Sequence, residues 1–117
     1  LSITYDSLKF WGASNNNILQ GDKMFLLKEI DQLYNNFSDK VYEANILDKK
    51  TKELIAVACS VMADCVPCIN HHYKQAVKGG ATREEIAEAL AISMSISAGS
   101  KRAKYAPVIS QLEQEKE

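Results

Sequence analysis

Disulfide-stapled, membrane-spanning and nucleic-acid-binding architectures are excluded first, by what this chain of 117 residues is short of. It has three cysteines, Cys59, Cys65 and Cys68, too few to staple a domain of this size, and the odd number leaves no fully paired framework. A reducing, cytoplasmic setting is therefore expected, and there a Cys-x-x-Cys pair is more often catalytic or metal-binding than structural. No apolar run is long enough to cross a bilayer, since the best stretch, Leu54 to Ala63, stops at Asp64. No secretory pattern opens the sequence, whose first residue is Leu1 rather than Met. A formal net charge of −1 supplies no electrostatic footprint for nucleic acid or an anionic membrane. Only two prolines and five glycines punctuate the chain, and no segment sustains the alternation of a strand. One domain of the all-α class is expected.

Residues 1–21 read as an N-terminal arm: GASNNNILQG is turn-like, and Phe10 and Trp11 read as anchors that pack it down. The helical domain is expected over 22–117. From Asp22, residues Phe25, Leu26, Ile30, Leu33 and Phe37 fall on one broad face, and a separate short helical piece is expected from Asp39 to Ile46. Asp48 offers an N-cap to a helix through KKTKELIAVACSVMA, which is apolar on nearly every side after Leu54 and so reads as central. Asp64 is expected to cap the next helix, with Pro67 tolerated in its first turn. Gly79 or Gly80 ends that helix in a left-handed conformation. Thr82 and Glu85 form a capping box for another helix, in which Ile86, Leu90 and Met94 make a stripe. A break near Gly99 or Pro107 is expected before a last helix carrying Tyr105, Val108, Ile109 and Leu112. The small-residue run ALAISMSISAGS suits close helix approach and predicts a homo-oligomer.

The chemistry concentrates in ADCVPCINHHYKQA. With Asp64 as cap, Cys65, Cys68 and His72 lie in one line along a helix, and His71 points about 100 degrees away. Cysteines at i and i+3 can reach disulfide geometry. A helix N-terminus favours thiolate, and a histidine one turn on can accept or return a proton. Haem attachment fails, because Ile69 rather than a histidine follows Cys68. Structural zinc needs four ligands, for which only Cys65, Cys68, His72 and one carboxylate are at hand. A redox dithiol, such a metal site and a pair of core thiols beside a surface histidine are the readings left open. Cys59 reads as an inert core thiol, His71 as a surface or interface residue, and the Lys101–Lys104 cluster as a solvated face.

Glu53, then Cys65-Val-Pro-Cys68, then His72 three residues further on, resembles the Glu…Cys-x-x-Cys-x-x-x-His pattern of the AhpD-like alkylhydroperoxidase and carboxymuconolactone decarboxylase superfamily. The surrounding LDKKTKELIAVACSV and CINHHYKQAVKGGATREEIAEAL resemble it too, over about Glu43 to Ala98. The resemblance implies an AhpD-like helical bundle, a homo-oligomer (commonly a trimer or hexamer) and a thiol-dependent peroxidase or disulfide reductase needing no cofactor. Its partners would be a peroxide or disulfide substrate and a dithiol reductant. Carried over by motif position, Cys68 resembles the peroxidatic thiol, Cys65 the resolving one, and Glu53 with His72 the proton relay. Pro67 stands where some members carry a second histidine, which removes one proton donor. The competing functions are a carboxymuconolactone decarboxylase-type lyase and a non-catalytic, metal-binding helical oligomer.

Overall fold

The computed structural model describes residues 27–115, so the expected arm, together with Phe10, Trp11, Phe25 and Leu26, lies outside the described residues. Four helices follow in order: α1 (Lys28–Tyr42), α2 (Lys49–Met62), α3 (Val66–Lys78) and α4 (Arg83–Glu115). Among the described residues there is no strand, as the missing alternation predicts.

Local signals set most helix ends. The Asp48 carboxylate accepts the Thr51 backbone N–H at 2.7 Å and starts α2. In the expected capping box, the Glu85 N–H donates to Thr82 Oγ1 at 3.1 Å and the Thr82 N–H to Glu85 Oε1 at 2.9 Å. Helix α3 closes on Gly80 at φ 93°, with the Gly80 N–H on the Val77 carbonyl and the Ala81 N–H on the Ala76 carbonyl. The same pair of bonds closes α2, but its left-handed residue is Asp64 at φ 53°, with Asp64 N–H on Val61 and Cys65 N–H on Ser60. Asp64 therefore ends α2 and does not cap α3, contrary to the sequence reading. Short polar side chains tolerate this backbone region better than most.

The core is small. Val57, Ala76, Ala81 and Ile86 are buried together, and Leu54, Ile69 and Leu90 pack against them, so α2, α3 and the first half of α4 form the body. Full burial of Val57 or Ile86 contributes about 1.5–3 kcal/mol each before ordering costs. Ser93 is 1% exposed, and its hydroxyl donates to the Ala58 carbonyl at 2.9 Å, tying α4 to α2. Lys50 on α2 pairs with Glu85 on α4 at 2.8 Å.

Four further expectations are corrected. No separate helix spans Asp39 to Ile46. Helix α1 runs without a breaker to Tyr42 and stops where Lys52 Nζ bonds the carbonyls of Val41 and Glu43 at 2.8 and 2.6 Å. The α1 face of Ile30, Leu33 and Phe37 is exposed, because α1 meets the body only near its C-terminal end. Met94 is exposed and Ser93 takes the inward position, so the α4 stripe turns away from the core one residue earlier than expected. No break occurs at Gly99 or Pro107, and α4 continues for 33 residues. Pro107 costs that helix one intrahelical bond. The segment around it is exposed, so water can satisfy the Ala103 carbonyl that loses its donor.

Candidate functional site

Cys65 holds two structural posts at once. Its N–H completes the closure of α2, and it is the N-cap residue of α3, where its sulfur accepts the Cys68 backbone N–H at 3.2 Å. Pro67 sits in the first turn of α3, where its missing N–H leaves no intrahelical bond unmade. Cys65 and Cys68 are joined as a disulfide, with Cα atoms 5.2 Å apart. Cys59, expected in the core, is exposed and free: α2 turns Ala56, Val57 and Ser60 inward and leaves Cys59 outside.

Glu53 and His72 come together across α2 and α3. Glu53 Oε2 lies 2.7 Å from His72 Nδ1, and the carboxylate is 1% exposed. A buried charge requires partners. The second oxygen, Oε1, has one in Lys49 Nζ at 2.9 Å, one helical turn earlier on α2. No buried side-chain polar atom among the described residues lacks a hydrogen bond.

His72 is enclosed by rings as well. The Tyr42 ring lies 4.7 Å from it, centroid to centroid, and the His71 ring meets it edge-on at 4.9 Å. Desolvation, followed by the nearby Glu53 charge, raises the Tyr42 phenol above its ordinary range, so it stays protonated at neutral pH. Desolvation and then His72 lower the proton affinity of His71, which favours its neutral form. His71 is exposed, as the sequence reading expected of a surface residue.

This arrangement can hold and pass a proton. With Glu53 ionised and His72 neutral, the Nδ1–H donates to the carboxylate and Nε2 keeps a lone pair. Cys68 precedes His72 by one turn on the same helix, so thiol and base share a face. Among the described residues no cluster of three or more metal-ligating side chains forms, and the disulfide engages both sulfurs of the zinc set weighed above.

All four residues singled out by sequence therefore lie on α2, α3 and their junction. Lys49 and Tyr42 were missed. Lys49 had a local signal, four residues before Glu53 on one helix face. Tyr42 had none, because it reaches His72 from another helix.

The model of the carboxymuconolactone decarboxylase family matches residues 28–109. A protein of the cox locus of Paracoccus denitrificans is 41% identical over 70 residues, which are 60% of this chain and 63% of that one. The alkyl hydroperoxide reductase AhpD of Corynebacterium kroppenstedtii is 30% identical over 99 residues, 82% of this chain and 57% of the relative. The chain thus spans less than two thirds of either curated relative. Among solved structures, a protein from Methanobacterium thermoautotrophicum superposes with a TM-score of 0.66 at 35% identity, covering 71% of this chain and 95% of its own. A carboxymuconolactone decarboxylase family protein from Thermotoga maritima superposes with a TM-score of 0.56 at 28% identity, covering 77% and 99%. Sequence and fold agree: the chain belongs to the carboxymuconolactone decarboxylase family.

Proposed function

We propose that the protein is a thiol-dependent peroxidase or disulfide reductase that cycles Cys65 and Cys68 between dithiol and disulfide. The observation that carries this reading is the Glu53–His72 hydrogen bond of 2.7 Å, which ties α2 to the helix that begins at the disulfide. In the reduced state neutral His72 takes the Cys68 proton. The thiolate attacks the peroxide O–O bond, leaving a sulfenic acid on Cys68 and an alkoxide that collects the proton from His72. The Cys65 thiol condenses with the sulfenic acid, forming the disulfide and releasing water. An external dithiol then returns two electrons and two protons and leaves as its own disulfide. With a disulfide substrate, the reduced pair delivers the same two electrons by exchange.

A second assignment of roles is favoured by one contact. The Cys68 N–H on Cys65 Sγ and the helix dipole both stabilise negative charge on Cys65, which suits that sulfur as nucleophile or as leaving thiolate. We place Cys65 in the leaving role, during reduction of the disulfide. The proposal extends to a homo-oligomer. Ile92, Met94, Ile96, Val108, Ile109 and Leu112 on α4 are all exposed, and apolar side chains gathered on one helix suit an interface between copies of the chain.

Stopped-flow mixing with peroxide, read by sulfenic-acid trapping and intact mass, tests the roles. Cys65→Ser is expected to react once and hold a sulfenic acid at Cys68, whereas Cys68→Ser loses the reaction. The reverse pattern exchanges the roles. Inactivity of both variants, with intact disulfide exchange in the parent, restricts the enzyme to disulfide reduction. Lyase turnover that persists after alkylation of both thiols would overturn the reading, as would a dithiol pair that never cycles.

A further inference from the structure

The Glu53 carboxylate has two oxygens and two different partners. His72 Nδ1 takes Oε2 at 2.7 Å, and Lys49 Nζ takes Oε1 at 2.9 Å. Glu53 and His72 belong to the pattern that first marked the site; Lys49 does not. We propose that Lys49 is a positioning residue of the relay, which holds the buried carboxylate rotated toward His72 and, by its charge, opposes imidazolium there. The proposal rests on the dithiol reading for its catalytic meaning but not for its electrostatics.

Three observations support it. First, Glu53 is 1% exposed, so water cannot solvate its charge; the ammonium is the only cation bonded to it among the described residues that does not depend on the protonation of His72. Second, Lys49 reaches Glu53 from the first turn of the same helix, where the Asp48 cap fixes the backbone, so its position does not depend on loop movement. Third, the carboxylate's other oxygen is thereby engaged, which leaves one orientation in which His72 is served. A carboxylate without that second partner could turn, and would then no longer dictate the His72 tautomer.

The charge has a definite sign of effect. A cation bonded to the far oxygen opposes formation of imidazolium at His72, while the Glu53 carboxylate favours it. The other groups facing His72 are Tyr42 from α1, protonated at neutral pH, and His71 from α3, whose proton affinity is lowered. Neither provides a fixed charge, so Lys49 sets the balance against Glu53. Removing the ammonium removes that opposition and shifts the balance at His72 toward imidazolium.

The test is the titration of the His72 ring by NMR in the full chain, for the parent, Lys49→Met and Lys49→Arg. Lys49→Met should move the His72 midpoint upward by about one pH unit, a roughly tenfold change in proton affinity. Lys49→Arg should stay near the parent. If Lys49→Met fails to fold, Lys49→Gln, which keeps length and polarity without charge, carries the same expectation. An unchanged midpoint in the neutral variants overturns the proposal, as does an equal shift in Lys49→Arg. A shifted midpoint in a protein that never reacts with peroxide leaves the role of Lys49 standing and removes the peroxidase reading alone.

Discussion

Replacing Glu53 by glutamine changes one atom and one charge at the most buried polar side chain of the site. The parent carboxylate accepts two hydrogen bonds, from Lys49 and from His72. The amide can accept at only one end and must donate at the other. Its oxygen will meet Lys49, which can only donate. Its NH₂ will then face His72 Nδ1, which must become the acceptor, and the ring proton moves to Nε2. The bond to His72 is part-buried and charge-assisted, so its loss costs about 1.5–3 kcal/mol. Lys49 is 43% exposed, and solvent screening holds its share to about 0.5–1 kcal/mol. The new bonds, the ammonium on the amide oxygen and the amide NH₂ on Nδ1, return about 1 kcal/mol. A net destabilisation of about 1–3 kcal/mol is expected, or a fall in Tm of roughly 5–15 °C for a domain of this size. Urea unfolding followed by circular dichroism, at one fixed protein concentration, measures the first quantity. Long-range nitrogen–proton correlations of the imidazole report the tautomer. With its proton on Nε2, His72 can no longer accept from Cys68, so the proposed reaction with peroxide should slow by about 10²-fold or more. A Glu53→Gln protein within about 0.5 kcal/mol of the parent, with the Nδ1–H tautomer and the parent rate, would refute the reasoning.

Asp64 occupies the left-handed region at φ 53°. Asp64→Gly should therefore be neutral or stabilising by up to about 1 kcal/mol, whereas Asp64→Val should lose about 1–2 kcal/mol and hinder closure of the disulfide, as thermal melts and free-thiol counts would show. In native, oxidised protein a maleimide should label one thiol per chain, and peptide mapping should place it at Cys59; label on Cys65 or Cys68 would contradict the observed pairing. The Thr51 N–H lowers the Asp48 pKa, and the hydrogen bond from Lys50, followed by that from Thr82, lowers the Glu85 pKa. Both folded values lie below the unfolded ones, so their stabilisation is present above the ordinary carboxylate range and is lost as pH falls through the folded values. Thermal melts from pH 7 down to pH 3 should show that loss, and Asp48→Asn with Glu85→Gln should flatten it.

Helix class and most helix ends were legible in the sequence because they depend on a few adjacent residues. Asp48 caps the Thr51 N–H, Thr82 and Glu85 bond each other, Pro67 sits where no donor is needed, and Gly80 supplies the left-handed residue. The spacing of Cys65, Cys68 and His72 was legible for the same reason, since all three follow one another along a single helix from its N-cap. Asp64 shows where such reasoning stops. A polar residue between two helices serves as the end of one or the cap of the next, and the choice follows from the angle at which α3 must leave α2 to bury Val57 against Ala76 and Ile86. Ser93 and Met94 show it again: periodicity favours the larger apolar residue, but the close approach of α4 to the Ala58 carbonyl admits only the small hydroxyl. The approach of His72 to Glu53, 19 residues earlier, the Tyr42 ring against the imidazole and the exposure of Cys59 were all decided by how α1, α2 and α3 pack. A sequence specifies which groups share a turn of helix; only the packed helices bring a buried carboxylate on one of them to a histidine on another, because that contact depends on the distance and rotation between axes.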